Sequence, residues 1–373
     1  MTNSPEFFRR KRPWSRYKDL ILDYYLEPYL AKVARLRRPI IVVDCFAGPG
    51  RFDDGEAGSP LIIANRLRLL QTQGAEVLAF CVEKDPSLFG SLRQNTEGCG
   101  VHVEVRPGDF RKYIGEISRL ARNHTVFVYL DPIKPSDLLY ADMESVYEQL
   151  KRGQSIEVLI NFMSTSLLRA VRSLASTIQG ENGCPHEHHS VPHWNAVAGG
   201  TYWQEIAFDV GASNVEAVER LAKGYAQKLQ DTFNWVISYP VRDKYKSRFP
   251  KYHLTFGSRH ADAIELMNRA MVKARREFVK DRFVDGCLFP NEPESEVIKP
   301  HEVEEVITMT SQVLGPTTWK DLRVRTTVAN PCMYTDSEFN SAIKRAIQKG
   351  SIKSDCPGTK IEENARVWPP VTK

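Results

Sequence analysis

Four carboxylates, Asp44, Glu83, Asp109 and Asp131, stand at or just beyond the ends of apolar runs, and the first leads into Cys45-Phe46-Ala47-Gly48-Pro49-Gly50. A carboxylate placed there accepts hydrogen bonds from hydroxyl or amino groups. Gly48 and Gly50 lack a Cβ, so the chain can take positive φ and let a ligand lie against the peptide plane. This set suits a nucleoside: Asp44 for an amino group, Glu83 for ribose hydroxyls, and Asp109 for an adenine amino group with Phe110 beside the ring. Plainer alternatives stand next to each. Gly48 and Gly50 also make a tight strand-to-helix turn with no ligand, Glu83 also reads as a solvated surface acid, and Asp109 is a good N-cap for a helix beginning at Phe110.

Such carboxylates converge only if strands carry them to one edge. Ile40 to Val43 form a continuous apolar run of the kind found in strands buried on both faces. Further runs cover residues 77–83, 101–105, 125–130 and 158–160, the last leading into Asn161-Phe162-Met163. Each is followed by a helical stretch, which predicts a doubly wound, Rossmann-like α/β sheet with its site at the carboxyl edge. No G-x-G-x-x-G fingerprint is present, since Asp53 stands at its last position, and no phosphate-cradling P-loop occurs. An adenosine cofactor therefore fits better than a dinucleotide or a nucleoside triphosphate. The gap from the glycines to Glu83 exceeds the usual spacing of about 20 residues; residues 53–60 read as an inserted loop, with a helix after it to about Leu70. Leu20, Leu22, Leu26, Tyr29, Val33 and Leu36 recur at helical spacing and predict a lead-in helix packed on the sheet, bent at Pro28. Residues 164–200 read as the least regular part of the sheet domain, 203–209 as a short extended element, 215–229 as a helix, and 235–240 and 251–257 as two closing strands.

In this pattern the chain resembles the class I S-adenosylmethionine-dependent methyltransferases, and more narrowly the three-Cys-motif partner protein family of bacteria. The narrower likeness rests on the helix with Trp14 and Lys18, on residues 44–50, Gly58-Ser59-Pro60, Glu83, Leu130-Asp131-Pro132, Leu159-Ile160-Asn161-Phe162-Met163 and Tyr252-His253-Leu254-Thr255-Phe256. It spans about residues 13–282. It implies a seven-stranded sheet whose last strand is antiparallel, and S-adenosyl-L-methionine as cofactor. Asp44, Phe46, Gly48 and Gly50 would hold the methionine part, Glu83 the ribose, and Asp109 with Phe110 the adenine. Methyltransferases that modify a base amine carry an acid or amide, then Pro-Pro and an aromatic that stacks on the flipped base. Here the run is Asp131-Pro132-Ile133-Lys134. Asp131 and Pro132 match and the next two residues do not, so Phe162, from the neighbouring strand, is the candidate to supply the stacking face.

The chain has 373 residues, 42% hydrophobic, enough for a large core and two domains. The expected layout is a basic lead-in helix over 1–38, a methyltransferase-like domain over 39–284, a Pro- and acid-rich linker over 285–300, and a winged-helix-like domain over 301–373, with Lys344, Arg345 and Lys349 on its third helix. A small protein-docking module is the alternative for the last part. No apolar run approaches membrane-spanning length, the first twelve residues lack the core of a secretory signal, and seven scattered cysteines suit a reducing cytoplasm. The net charge of +5 is unevenly placed. Arg9, Arg10, Lys11 and Arg12 cluster with Arg16 and Lys18 around Trp14 and Tyr17, and Arg275 and Arg276 lie among Arg269, Lys273, Lys280 and Arg282. Such clusters are either solvated faces or phosphate contacts, and the aromatic interleaving of the first suits base stacking. Cys184, His186, His188, His189 and His193 have ligand types that zinc accepts but no known paired spacing, so no metal is expected and a polar loop on the substrate side is preferred. The expected function is methyl transfer to nucleic acid, DNA or RNA, at a base amine. Two alternatives remain: a non-catalytic nucleoside-binding subunit working with a three-Cys-motif protein, and a winged-helix DNA-binding regulator with a scaffold sheet domain.

Overall fold

The computed structural model describes residues 7–180, 188–209, 211–242, 247–284, 300–356 and 361–370. The chain divides into two compact units, Met1–Arg259 and His260–Lys373.

In the first unit the predicted runs become β1 (Ile40–Asp44), β2 (Val77–Glu83), β3 (Val103–Pro107), β4 (Thr125–Leu130), β5 (Ile156–Phe162), β6 (Trp235–Val241) and β7 (Tyr252–Ser258). Between and around them lie α1 (Pro13–Val33), α2 (Ser59–Gln71), α3 (Pro86–Thr96), α4 (Ile114–Leu120), α5 (Glu144–Lys151), α6 (Ser164–Gly180), α7 (Val191–Ala198), α8 (Tyr202–Phe208) and α9 (Asn214–Gln230). The sheet has seven strands in the order β3-β2-β1-β4-β5-β7-β6. The first five are parallel, and β7 is antiparallel to both of its neighbours. This is a mixed α/β, Rossmann-like architecture.

The residues explain the layering. β1, β4 and β5 are buried at every position, as expected for strands covered on both faces. Ile41, Val43, Phe80, Val82, Val126 and Val128 share one core cluster. Alternation along β4 turns Phe127 to the other face, where α1 closes over it. Tyr25 and Tyr29 sit 5.6 and 5.5 Å from the Phe127 ring, and Tyr25 meets Phe256 edge-on at 5.0 Å. Pro28 lies inside α1 without ending it. Of the expected stripe Leu22, Leu26 and Tyr29 are buried, whereas Leu36, beyond the helix end, is 57% exposed.

Two expectations change. Residues 203–208 of the expected extended element 203–209 are helical, because Trp203, Ile206 and Ala207 fall on one helical face and are buried together, and only Asp209 is extended. The described part of residues 164–200 is mostly regular: Leu167, Leu168, Val171, Leu174, Ala175 and Ile178 make α6 amphipathic. Cys184 and His186 lie outside the described residues, as does most of the expected linker, residues 285–299.

The second unit contains α10 (Ala261–Val284), α11 (Pro300–Leu314), β8 (Thr317–Thr318), α12 (Trp319–Ala329), α13 (Asp336–Gln348), β9 (Lys353–Ser354) and β10 (Arg366–Trp368). The three short strands pair antiparallel in the order β8-β10-β9. Val303, Ile307, Trp319, Leu322, Phe339, Ile343 and Val367 form its core. Thr335 and Glu338 form a reciprocal cap at the start of α13, with bonds of 3.3 and 2.6 Å. α10 packs on α12, where Arg323 bonds Glu265 at 2.5 Å. No helix among the described residues is long and apolar enough to cross a membrane.

Candidate functional site

In an open α/β sheet a ligand crevice forms outside the carboxyl ends of the strands where the order reverses, here between β1 and β4. A cleft of about 850 Å³ opens there, within the usual range for small-molecule sites. Its wall takes Cys45 to Gly50 from the end of β1, Glu83 from β2, Asp109 and Phe110 after β3, Asp131 to Ile133 after β4, and Asn161 and Met163 from β5. Glu83, Asp109 and Asp131 thus line one rim, while Asp44, just before the β1 turn, is buried behind it and is not part of the cleft wall.

The glycine turn is built for close approach. Gly48 has φ +63° and Gly50 φ +78°, a region that side chains with a Cβ avoid. A Cβ on Gly48 would meet the Phe8 ring at 3.0 Å. Glu83 holds the turn: its Oε2 accepts the Gly48 N–H and its Oε1 the Asp85 N–H, each at 2.7 Å. Asn95 Nδ2 donates to the Pro49 carbonyl at 2.8 Å from α3, a helix whose start is capped by Asp85. Burial raises the Glu83 carboxyl above its ordinary value, against the pull of those N–H donors. Each Glu83 oxygen keeps acceptor capacity for a ribose hydroxyl.

Asp44 lies beneath the turn, fully buried. Its Oδ1 accepts the Phe46 N–H at 3.1 Å, while Oδ2 has no partner among the described residues. Burial raises it from 3.8 to about 7, with the Ser59 hydroxyl nearby and the Phe46 N–H acting the other way. Phe46 and Phe110 pack with ring centroids 5.1 Å apart.

Asp109 caps the short 3₁₀ turn Phe110–Tyr113, as the plainer alternative held. Its oxygens take the Arg111 N–H at 3.1 Å, the Arg111 guanidinium at 3.0 Å and the Lys84 ammonium at 3.2 Å. Burial works to raise its carboxyl, but these donors outweigh it and hold the group below its ordinary value. Little acceptor capacity is left there for an adenine amino group.

Asp131 is engaged on both sides: Lys18 of α1 donates to Oδ2, and Asn161 Nδ2 donates to Oδ1 at 2.7 Å. Burial works against the charge on Lys18, yet the carboxylates of Asp131 and Asp19 raise it. Asp19 in turn pairs with Lys11 at 2.7 Å. Asn161 Oδ1 is buried without a partner among the described residues, a state costing roughly 1–3 kcal/mol until a donor arrives.

Phe162, the expected stacking face, does not line this cleft. It lies flat on Tyr225, centroids 4.2 Å apart and planes within 11°, because alternation along β5 turns it away from Asn161. Trp14, Arg12, Lys251 and Tyr252 line the cleft instead. Of the basic residues, Arg9, Arg10 and Arg12 are exposed, whereas Lys11 is buried between Asp19 and the Ala57 carbonyl. In the second unit Arg275 bonds the Cys332 carbonyl at 2.9 Å and Arg276 meets Glu338 at 3.3 Å. His188 and His189 stack on each other, and among the described residues no cluster of three metal-ligating side chains occurs. The importance of Asp19 and Asn161 was not visible in the sequence; an acid one position from Lys18, and an amide ending a strand, were the only signals.

No family model matches the chain, and no curated protein does. Among solved structures, a protein of family DUF519 from Legionella pneumophila str. Philadelphia 1 aligns with 66% of this chain and 85% of its own, at 7% identity and a TM-score of 0.36. A putative methyltransferase from Porphyromonas gingivalis W83 aligns with 37% of this chain and 32% of its own, at 18% identity and a TM-score of 0.23.

Proposed function

We propose that this chain is an S-adenosylmethionine-dependent methyltransferase acting on nucleic acid, at a base amine. One observation carries this: the switch-point cleft combines a positive-φ glycine turn with a ribose-type acid on β2, in front of a buried β1 carboxylate whose Oδ2 has no partner among the described residues. Asp44 Oδ2 is the natural partner for the amino group of the methionine part. Gly48 and Gly50 leave the peptide planes open beneath it. Glu83 accepts from the ribose, and the adenine rests against the packed Phe46–Phe110 pair. With Asp109 spent on its own cap and ion pairs, adenine recognition rests on those rings.

When bound, the cofactor supplies an electrophilic methyl group on a positive sulfur. The chain contributes orientation. Lys18 and Asn161 hold Asp131 in one place, and with Pro132 it borders the position of the acceptor amine, so that proximity provides most of the acceleration. The order helix, strand, helix, helix, strand, strand from α11 to β10 supports a winged-helix reading of the second unit. Lys344 is exposed on its third helix, while Arg345 and Lys349 pair with Glu304 at 3.5 and 2.9 Å.

A second reading, nucleoside binding without transfer, is favoured by the fact that both oxygens of Asp131 are taken within the chain. Transfer of a tritiated methyl group separates the two. Incorporation into DNA or RNA is expected, whereas saturable cofactor binding with no transfer to DNA, RNA or protein would select the binding subunit.

A further inference from the structure

The cleft has two halves. The glycine turn, Glu83 and Phe110 lie on the β1–β3 side. Asp131, Ile133, Asn161, Met163, Lys251, Tyr252 and Trp14 belong to the β4, β5 and β7 side, and the nucleoside reading leaves this second half unfilled. β7 runs antiparallel to β5, with Phe162 opposite His253, so Tyr252 and Lys251 stand at the edge where β5 ends. Tyr252 donates its hydroxyl to the Trp14 carbonyl at 3.1 Å. Trp14 is one helical turn before Lys18 on the same face of α1, and Lys18 reaches Asp131. Trp14, Asp131 and Asn161 all line this cleft.

The chemistry of this half is specific. Asp131, as a carboxylate, only accepts hydrogen bonds, so it draws Asn161 Nδ2 toward itself and turns Oδ1 away. Oδ1 is then a buried acceptor with no donor among the described residues, on a side chain only 4% exposed. Trp14 is half-buried in the cleft wall. Lys251, exposed, holds its ammonium 4.9 Å from the indole centroid, at a rim that also carries the exposed Arg12. Ile133, at the position where base-modifying methyltransferases carry their second proline, is 57% exposed and lines the same cleft.

We infer that this half is a subsite for one unstacked nucleobase carrying an exocyclic amine, within a single-stranded or flipped-out nucleic acid. Trp14 is the stacking platform in place of Phe162, and Ile133 is the opposing apolar wall. Asn161 Oδ1 accepts the amine hydrogen, Asp131 and Lys18 are positioning residues that set the amide, and Lys251 with Arg12 meets the flanking phosphates. Aromatic stacking holds any base, whereas an acceptor left bare by a base without an amine discriminates against it. The inference rests on the methyltransferase reading and assigns the residues that hold and discriminate the acceptor base of that site.

The test uses the full chain saturated with S-adenosylhomocysteine, which occupies the cofactor half without reacting, and short single strands of DNA and of RNA carrying one 2-aminopurine. Wild-type protein is expected to quench the probe saturably, and the DNA and RNA arms identify the sugar. Trp14→Ala should lose the quench and about tenfold in affinity, while Trp14→Phe keeps most of both. Asn161→Ala should abolish the preference for 2-aminopurine over a purine lacking the amine. Lys251→Ala should reduce the salt slope of binding by about 0.7, one phosphate on a single strand. Unchanged S-adenosylhomocysteine affinity shows that each variant is folded. Failure of the wild type to bind either probe, or wild-type quench and preference in the Trp14 and Asn161 variants, overturns the subsite while cofactor binding leaves the methyltransferase reading standing. If the wild type binds neither S-adenosylmethionine nor S-adenosylhomocysteine, that reading falls and the subsite with it.

Discussion

Asp44 is a buried carboxylate whose Oδ2 has no hydrogen-bond partner among the described residues, and its protonation sets a dependence on pH. Burial raises its folded-state value from 3.8 to about 7, so the native chain keeps a proton that the unfolded chain releases. Stability from this group is therefore present in full below about pH 4 and lost as pH rises through 7. In Asp44→Asn the melting temperature should lose part of its decline between pH 4 and 7; an identical profile would show that Asp44 does not titrate there. A cofactor ammonium needs the ionised form, so cofactor affinity should rise with pH up to about 7 and then level off, a dependence absent from Asp44→Asn. The Lys18–Asp131 pair makes a different prediction. Lys18 is 9% exposed at its side chain and Asp131 21%, so removing the cation strands a largely desolvated carboxylate. Lys18→Met is expected to cost about 3 kcal/mol in urea unfolding, whereas a loss under about 0.5 kcal/mol would mean that solvent screens the pair.

At the scale of elements, the β1 turn can be tested against a helix of the same neighbourhood. Gly48→Ala forces a Cβ into positive φ and against Phe8, so it should cost about 1–2 kcal/mol and weaken the cofactor. Gly90, inside α3, has open space around it, so Gly90→Ala should gain about 0.5–1 kcal/mol. Paired melting curves check both signs. The sheet was legible in the sequence because strands buried on both faces are runs of Val, Ile and Phe, and because each ends in a polar residue at the same edge. The helix Tyr202–Phe208 was not: seven residues are too few for periodicity to separate helix from strand. Nor was the true environment of Asp131. Lys18 is 113 positions away and Asn161 30; the packing of α1 against the sheet brings the first to Asp131, and the pairing of β5 with β4 the second. Phe162 was misplaced for a simpler reason, since alternation along β5 decides which of Asn161, Phe162 and Met163 faces the cleft.

For the molecule as a whole, the modest net charge conceals two different kinds of basic cluster. Around α10, Arg269 meets Asp336 at 2.5 Å and Arg276 meets Glu338, so much of that charge is met within the second unit. Near the cleft, Arg9, Arg10 and Arg12 are exposed. Replacing these three with Ala should reduce the slope of log affinity for single-stranded nucleic acid against log salt by about 2, and Arg276→Ala should change it little. Binding titrations between low and physiological salt distinguish the outcomes; equal effects of both would assign the footprint to both units. The central claim is narrower: the hollow around the glycine turn takes a sulfonium nucleoside. Calorimetric titration of the full chain with S-adenosylmethionine tests it directly. One saturable site per chain is expected, weakened about tenfold or more in Glu83→Ala, which removes charge-assisted bonds to the ribose and to the Gly48 N–H. No saturable heat in the wild type, or an affinity that Glu83→Ala leaves untouched, would contradict it.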